Sequence, residues 1–138
     1  MAELAPETIE RLRVAADAAA TNAYAPYSGF RVGAALLFED GTVVTGCNVE
    51  NISYSLTICA ERTALVRAIA TEGATRKIVA VMIANLNHAA SSPCGACLQM
   101  LSEFVEHDAV IWFPAANDMI QKPFHELLPY AFSNWQKE

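Results

Sequence analysis

Two short stretches hold the residues best equipped for chemistry: Cys59-Ala60-Glu61-Arg62 and, with its first thiol 94 − 59 = 35 positions later, Pro93-Cys94-Gly95-Ala96-Cys97. Three thiolates binding one Zn²⁺ at about 2.3 Å would leave a single tetrahedral position open for water. A metal ion at such a position lowers the pKa of that water towards about 7. Glu61, two residues beyond the first thiol, is near enough to move protons without being a ligand. The same residues admit other readings. Cys94-x-x-Cys97 alone suits a dithiol redox pair or half of a structural zinc site. Redox use leaves Cys59 and Glu61 without a task. A structural site wants a fourth ligand, and Cys47 stands in a strand-like stretch with no partner at metal spacing. Cys47 is expected to be a small buried core residue. His88, His107 and His125 show no paired ligand spacing and are expected on the surface or in loops.

The elements that must position these groups are legible from pattern. Pro6-Glu7 followed by Ile9, Leu12, Ala15, Ala16, Ala19 and Ala23 predicts an amphipathic helix ended by Ala25-Pro26-Tyr27-Ser28-Gly29. Its small-residue face implies close packing on a sheet. Phe30 to Phe38 and Thr42 to Val49 are β-rich runs joined by Glu39-Asp40-Gly41, a hairpin signal. At the end of the second run, Asn48 and Glu50 are separated by the strand period of two, so both point to one face. An amide and a carboxylate side by side can hold a vicinal diol such as a ribose; turn residues at a strand end are the plainer alternative.

Cys59 to Ala70 has helical spacing with Gly73 as its stop, and Lys77 to Ala84 is a continuous apolar run suited to a central strand. Pro93 to Phe104 predicts a second helix, Ala109 to Phe113 a strand, Met119 to Lys122 a possible final strand, and Pro123 to Pro129 a short helix. No repeat, linker or low-complexity segment appears. The order predicts a single α/β layered domain spanning residues 1–138, with a mixed sheet. It also puts both halves of the thiol motif at helix starts, where unsatisfied N–H groups and the helix dipole favour thiolates. Arg62 adds a positive charge that offsets the net −1 of three thiolates on Zn²⁺.

Composition narrows the partners. The net charge is −6, with 9 Lys and Arg against 15 acids, so the basic footprint that phosphate contacts require is missing and nucleic acid is not an expected partner. No apolar run approaches the roughly 18–20 residues of a membrane span. Glu3 and Glu7 stand where a signal peptide carries Lys or Arg, so a cytoplasmic location is expected, where such cysteine spacing means metal or redox chemistry. Hydrophobic residues make up 54 % of the chain, an excess that points to burial between subunits of a homo-oligomer.

Taken together, the motifs resemble the small, three-cysteine, homotetrameric cytidine deaminases. The resemblance runs from Tyr24-Ala25-Pro26-Tyr27-Ser28 to Leu127-Leu128-Pro129-Tyr130-Ala131-Phe132. Between these lie Phe30-x-Val32-Gly33-Ala34-Ala35-Leu36, Gly46-Cys47-Asn48-Val49-Glu50-Asn51 and the two thiol motifs. It implies a three-layer α-β-α sandwich with a mixed five-stranded sheet, one zinc ion per subunit, and tetramers whose sites borrow residues from neighbours. Cys59, Cys94 and Cys97 match the zinc ligands, and Glu61 the proton shuttle. Asn48 and Glu50 match readers of the ribose hydroxyls, Phe30 a residue packed on the ligand, and the Ala60 backbone a partner of the base amide. Phe132 matches an aromatic contributed by another subunit, and Tyr54 lies in a stretch that also crosses between subunits.

The implied reaction is hydrolytic deamination of cytidine and deoxycytidine to uridine and deoxyuridine, serving pyrimidine salvage. Hydroxide held by zinc attacks C4 while Glu61 shuttles protons to N3 and to the departing amine. Leu98 stands where the family commonly has arginine, which removes a positive charge near the site; Tyr130 stands where glycine often precedes Ala-Phe. A deaminase of a cytosine-nucleoside antibiotic of the blasticidin type shares the zinc motifs, but Phe30, Asn48, Glu50 and Phe132 favour a plain ribose. A non-catalytic zinc module has no use for Glu61.

Overall fold

A computed structural model describes residues 3–133. Helix α1 (Pro6–Ala20) opens on Pro6 with Glu7 in its first turn, where an acid complements the positive helix end. It buries Leu12, Ala16 and Ala20 against one face of the sheet, the close packing expected of its small-residue stripe. The helix stops three residues short of Ala23. The Tyr24 backbone is taken instead by the segment carrying Asn48 and Glu50: its N–H donates to Asn48 O at 3.0 Å, and its carbonyl accepts from Glu50 N–H at 2.8 Å.

The sheet has five strands in the order β2-β1-β3-β4-β5. They are β1 (Val32–Phe38), β2 (Val43–Cys47), β3 (Ile78–Asn85), β4 (Val105–Pro114) and β5 (Met119–Pro123). Only β3 and β4 run parallel; the other neighbours are antiparallel, so the sheet is mixed. The hairpin predicted at Glu39-Asp40-Gly41 joins β1 to β2, with Gly41 at φ 87° and Phe38 N–H donating to Thr42 O at 2.9 Å. Strand β3 is covered on both faces, as its apolar run implies. Val81 and Ile83 face one cluster with α2 (Ala60–Glu72) and α3 (Gly95–Leu101), while Ala80, Met82 and Ala84 face α1. The result is the three-layer sandwich with a mixed five-stranded sheet that the resemblance implies.

Several boundaries differ from expectation. β1 begins at Val32 because the Asn48 side chain takes the Phe30 carbonyl and the Val32 N–H, groups that a ladder would otherwise use. β2 ends at Cys47, yet Val49 continues as an extended rung that exchanges two hydrogen bonds with Ile58, both at 2.9 Å. Helix α3 ends at Leu101 rather than Phe104, since the Phe104 carbonyl accepts from Ile78 N–H at 2.7 Å and turns the chain into β4. β4 therefore starts at Val105, before the apolar run at Ala109. β5 forms as a full strand, and the final helix α4 (Phe124–Leu127) is a single turn. Cys47 is half-buried rather than buried, because β2 is an edge strand. No helix among the described residues is long and apolar enough to cross a membrane.

Candidate active site

The site lies where the starts of α2 and α3 meet. Cys59 is the residue that caps the N-terminus of α2, Cys94 caps α3, and Cys97 lies in the first turn of α3, buried. Backbone N–H groups at a helix start lack intrahelical partners, and Cys94 Sγ takes one of them, accepting from Cys97 N–H at 3.4 Å. The sequence spacing of 35 residues is closed by tertiary packing: Cys59 Sγ lies 3.8 Å from Cys94 Sγ, which lies 3.4 Å from Cys97 Sγ. All three sulfurs fall within 4.8 Å of one another, and they form the one such metal-competent group among the described residues. Sulfurs about 2.3 Å from a tetrahedral ion lie about 3.8 Å apart, so this triangle fits zinc with little adjustment.

What brings α2 to this place is Gly46. A Cβ there would lie 2.4 Å from Ala64 N and 2.8 Å from Ala60 O, so the strand and the first turn of the helix touch backbone to backbone. Glu61 points inward from that turn and is only 4 % exposed. Burial, with the Cys59 charge adding, pushes its carboxyl up to about 7. Cys59 moves the opposite way, drawn down to about 5 by a hydrogen bond from Cys97, then by Arg62 and Cys94. The Cys97 thiol moves up instead, raised by that same hydrogen bond and by burial. Arg62 Nη2 lies 3.6 Å from Cys59 Sγ and donates to the Thr57 carbonyl at 3.4 Å, while its Nε is buried without a hydrogen-bond partner. The guanidinium thus sets a positive charge against the Cys59 thiol.

Beside the thiols is a cavity of about 220 Å³, lined by Val32, Asn48, Thr57, Cys59, Ala60, Glu61, Ile83, Ser91, Ser92 and Cys94. A wider hollow of about 780 Å³ between α1 and the 114–119 turn contains none of the thiols. Of the residues singled out by sequence, Cys59, Cys94, Glu61, Asn48 and Ala60 meet at the smaller cavity. Glu50 is not among the lining residues; it is buried, its carboxylate held by Tyr27 N–H at 3.0 Å, Ser28 N–H at 3.1 Å and the Ser28 hydroxyl. The Asn48 amide accepts from Val32 N–H at 2.9 Å and donates to the Phe30 carbonyl at 2.8 Å. Asn48 and Glu50 thus both hold the 27–32 segment, but they lie beyond the end of β2, and only Asn48 lines the cavity.

Phe30, Tyr54 and Phe132 are not brought to the cavity lining. They stand 49 %, 64 % and 69 % exposed, with Tyr54 edge-on to Tyr27 at 6.1 Å between ring centroids. His88, His107 and His125 are exposed, the last two stacked on each other. Sequence reasoning did not pick out Thr57, Ser91 and Ser92 as lining residues, although Ser91-Ser92 leads directly into Pro93-Cys94. It also passed over Ser28, whose partner Glu50 is 22 residues away.

Residues 6–113 match the model of the cytidine and deoxycytidylate deaminase zinc-binding region. The chain belongs to that family. It is 42 % identical to a cytidine deaminase of Sporosarcina psychrophila over 126 residues, 91 % of each chain. Its fold superposes on the crystal structure of cytidine deaminase from Burkholderia pseudomallei with a TM-score of 0.81 and 43 % identity, covering 89 % of this chain and 98 % of that one. The cytidine deaminase of Mycobacterium tuberculosis gives a TM-score of 0.79 at 40 % identity, over 91 % of this chain and 98 % of that one. Membership in this zinc-binding family and the thiol triangle agree on the cofactor: the chain is a zinc protein.

Proposed function

We propose that this chain hydrolyses cytidine and deoxycytidine to uridine and deoxyuridine with release of ammonia. The observation that carries the reading is Glu61, a buried carboxyl beside three converging thiols at the edge of a nucleobase-sized cavity. Cys59, Cys94 and Cys97 are the ligands, and zinc, when bound, supplies a Lewis acid that acidifies water and polarises the reacting centre. Glu61 takes a proton from the attacking water and delivers it to N3 as the water oxygen bonds C4. The tetrahedral carbon then needs a protonated leaving group: Glu61 takes the remaining proton from the new C4 hydroxyl and passes it to the 4-amino nitrogen, so that the C–N bond breaks, ammonia departs and the C4 carbonyl forms. Burial raises the Glu61 carboxyl above the usual carboxylate range, which suits a group that must both accept and donate a proton.

The remaining residues bind and orient. The Ala60 N–H is the donor to the base amide, Asn48 and Glu50 read the ribose hydroxyls, and Phe30 packs on the nucleoside. Depression of the Glu50 carboxyl, mainly by the Ser28 hydroxyl, supports its role as an ionised acceptor. Ile52, Tyr54, Leu56 and Phe132 stand 81 %, 64 %, 61 % and 69 % exposed, which supports assembly into a homotetramer where Tyr54 and Phe132 complete a neighbour's site. The net charge of −6 favours a neutral nucleoside over nucleic acid. The test is zinc-loaded protein with cytidine, read by chromatography. Uridine and ammonia in equal amounts support the reading, and unaltered cytidine and deoxycytidine overturn it.

A further inference from the structure

The cavity beside the thiols takes parts of its lining from separate segments: Val32 and Asn48 on one side of the chain's course, and Ser91, Ser92 and Cys94 on the stretch that leads into α3. Residues 86–94 are neither helix nor strand, so the place of that stretch depends on bonds other than a ladder. Two asparagines supply them. Asn85, half-buried at the end of β3, donates from Nδ2 to the Ser91 hydroxyl at 2.6 Å, while its Oδ1 accepts from Asn87 N–H at 2.7 Å. Asn87 then reaches the stretch before β1. Its Nδ2 donates to the Gly29 carbonyl and its Oδ1 accepts from Arg31 N–H, both at 3.0 Å. Asn48 takes the alternate groups of the same stretch, the Phe30 carbonyl and the Val32 N–H. A continuous relay, Ser91–Asn85–Asn87–Gly29/Arg31, therefore ties one segment of the cavity wall to the other.

We propose that Asn85 and Asn87 are positioning residues that fix the Ser91–Ser92 wall relative to the 29–32 backbone, and thereby limit the substituent that the 4-amino nitrogen of the base can carry. This rests on the deamination proposed above, which sets C4 of the base at the thiols. Ser91 and Ser92 run directly into Pro93-Cys94, so the wall they form borders the group carried on C4. A bare amine fits inside that wall, whereas an N-alkyl group has to push it outwards against the relay. Neither asparagine lines the cavity itself, so the relay acts on the room available and not on the chemical step.

The test uses the zinc-loaded full chain with cytidine and with N4-methylcytidine, whose hydrolysis gives uridine and methylamine in place of ammonia. Measured are kcat and KM for both substrates, zinc content and melting temperature, for the wild type, Asn85→Ala, Asn87→Ala and the double variant. One carbon more or less in a fitted pocket is worth about 10–200-fold, so the wild type should favour cytidine in kcat/KM by a factor of that order. Each single variant should lower this preference about two- to twelvefold, the worth of one hydrogen bond, through a lower KM for the methylated substrate. Because the two asparagines act in series, the double variant should lose no more than the larger single. A merely structural role would lower the melting temperature and slow both substrates alike. An unchanged preference in the variants therefore overturns the inference, as do additive effects of the two substitutions or a wild type that shows no preference. Asn87 is exposed, so Asn87→Ala gives the reading even where Asn85→Ala does not fold. A wild type that leaves both substrates untouched overturns the deamination reading instead.

Discussion

Replacing Gly46 by alanine adds one carbon at the point where β2 meets α2. The new Cβ would sit 2.4 Å from Ala64 N, 2.8 Å from Ala60 O and 2.9 Å from Ala64 Cα, against an ordinary contact of 3.4–4 Å. The worst contact is therefore short by 3.4 − 2.4 = 1.0 Å. All three atoms are helix backbone, so no side chain can swing aside and the helix itself must withdraw. Helix α2 carries Cys59 at its cap and Glu61 in its first turn, whereas Cys94 and Cys97 ride on α3. A shift of about an ångström then separates one ligand and the carboxyl from the other two ligands. Overpacking of this kind costs about 1–3 kcal/mol, a fall in melting temperature of about 3–15 °C for a chain of this size. Misplacing a catalytic group by about 1 Å costs about 10²-fold in turnover. Cytidine deamination, zinc content and a thermal melt of Gly46→Ala should show all three losses together. Gly95→Ala, where the added carbon meets nothing within 4 Å, serves as the thermal control. A Gly46→Ala protein that melts within a degree of the wild type and keeps most of its activity would refute this account of how α2 is placed.

Other outcomes follow from the same contacts. The Arg76 guanidinium has Nε, Nη1 and Nη2 buried without hydrogen bonds, lies 4.2 Å over the Phe38 ring and stands 3.6 Å from Asp40. Arg76→Met should therefore leave the thermal midpoint unchanged or raise it. The Glu50 carboxyl is depressed below its ordinary 4.5, chiefly by the Ser28 hydroxyl, so its contribution to stability is complete above that pH and disappears as pH falls through the folded value. Urea titrations at falling pH should show a shallower acid loss for Glu50→Gln than for the wild type. Ser28→Ala should raise KM for cytidine more than it lowers kcat, because the same hydroxyl also accepts from Phe30 N–H at 3.0 Å and ties together the two residues proposed to bind the nucleoside. Dialysis against a chelator should abolish activity and lower the melting temperature, and one equivalent of zinc per chain should restore both.

What the sequence revealed was governed by how local its causes are. The thiol motifs were legible because a cysteine at a helix start has local geometry and because metal ligands recur at fixed short spacings, as in Cys94-x-x-Cys97. β3 was legible because a strand covered on both faces must be apolar throughout, and Ile78–Asn85 nearly is. The start of β4 was hidden, since Glu106, His107 and Asp108 give no apolar signal and the strand there is fixed by Val105 pairing with Ile78. The end of α1 was hidden because alanines at Ala19 and Ala23 keep helical spacing whatever the chain does. It is the Asn48–Glu50 segment that decides by engaging the Tyr24 backbone. Cys47 was expected in the core, but strand order, which a local pattern does not encode, puts it on an edge. The Gly29 partner of Asn87 and the Glu50 partner of Ser28 lie 58 and 22 residues away, beyond the reach of any spacing rule.

The central claim is that Glu61 beside the thiol triangle performs a nucleoside deamination. Its most direct test follows the ultraviolet band of cytidine with zinc-loaded wild type beside Glu61→Gln of equal zinc content. The account predicts rapid loss of the band with the wild type. With the variant it predicts a rate lower by more than the roughly 10²–10⁴-fold of simple general acid–base catalysis, because Glu61 acts at several steps. A wild type that leaves cytidine, deoxycytidine and cytosine unchanged, or a variant that turns over cytidine at a comparable rate, would contradict it.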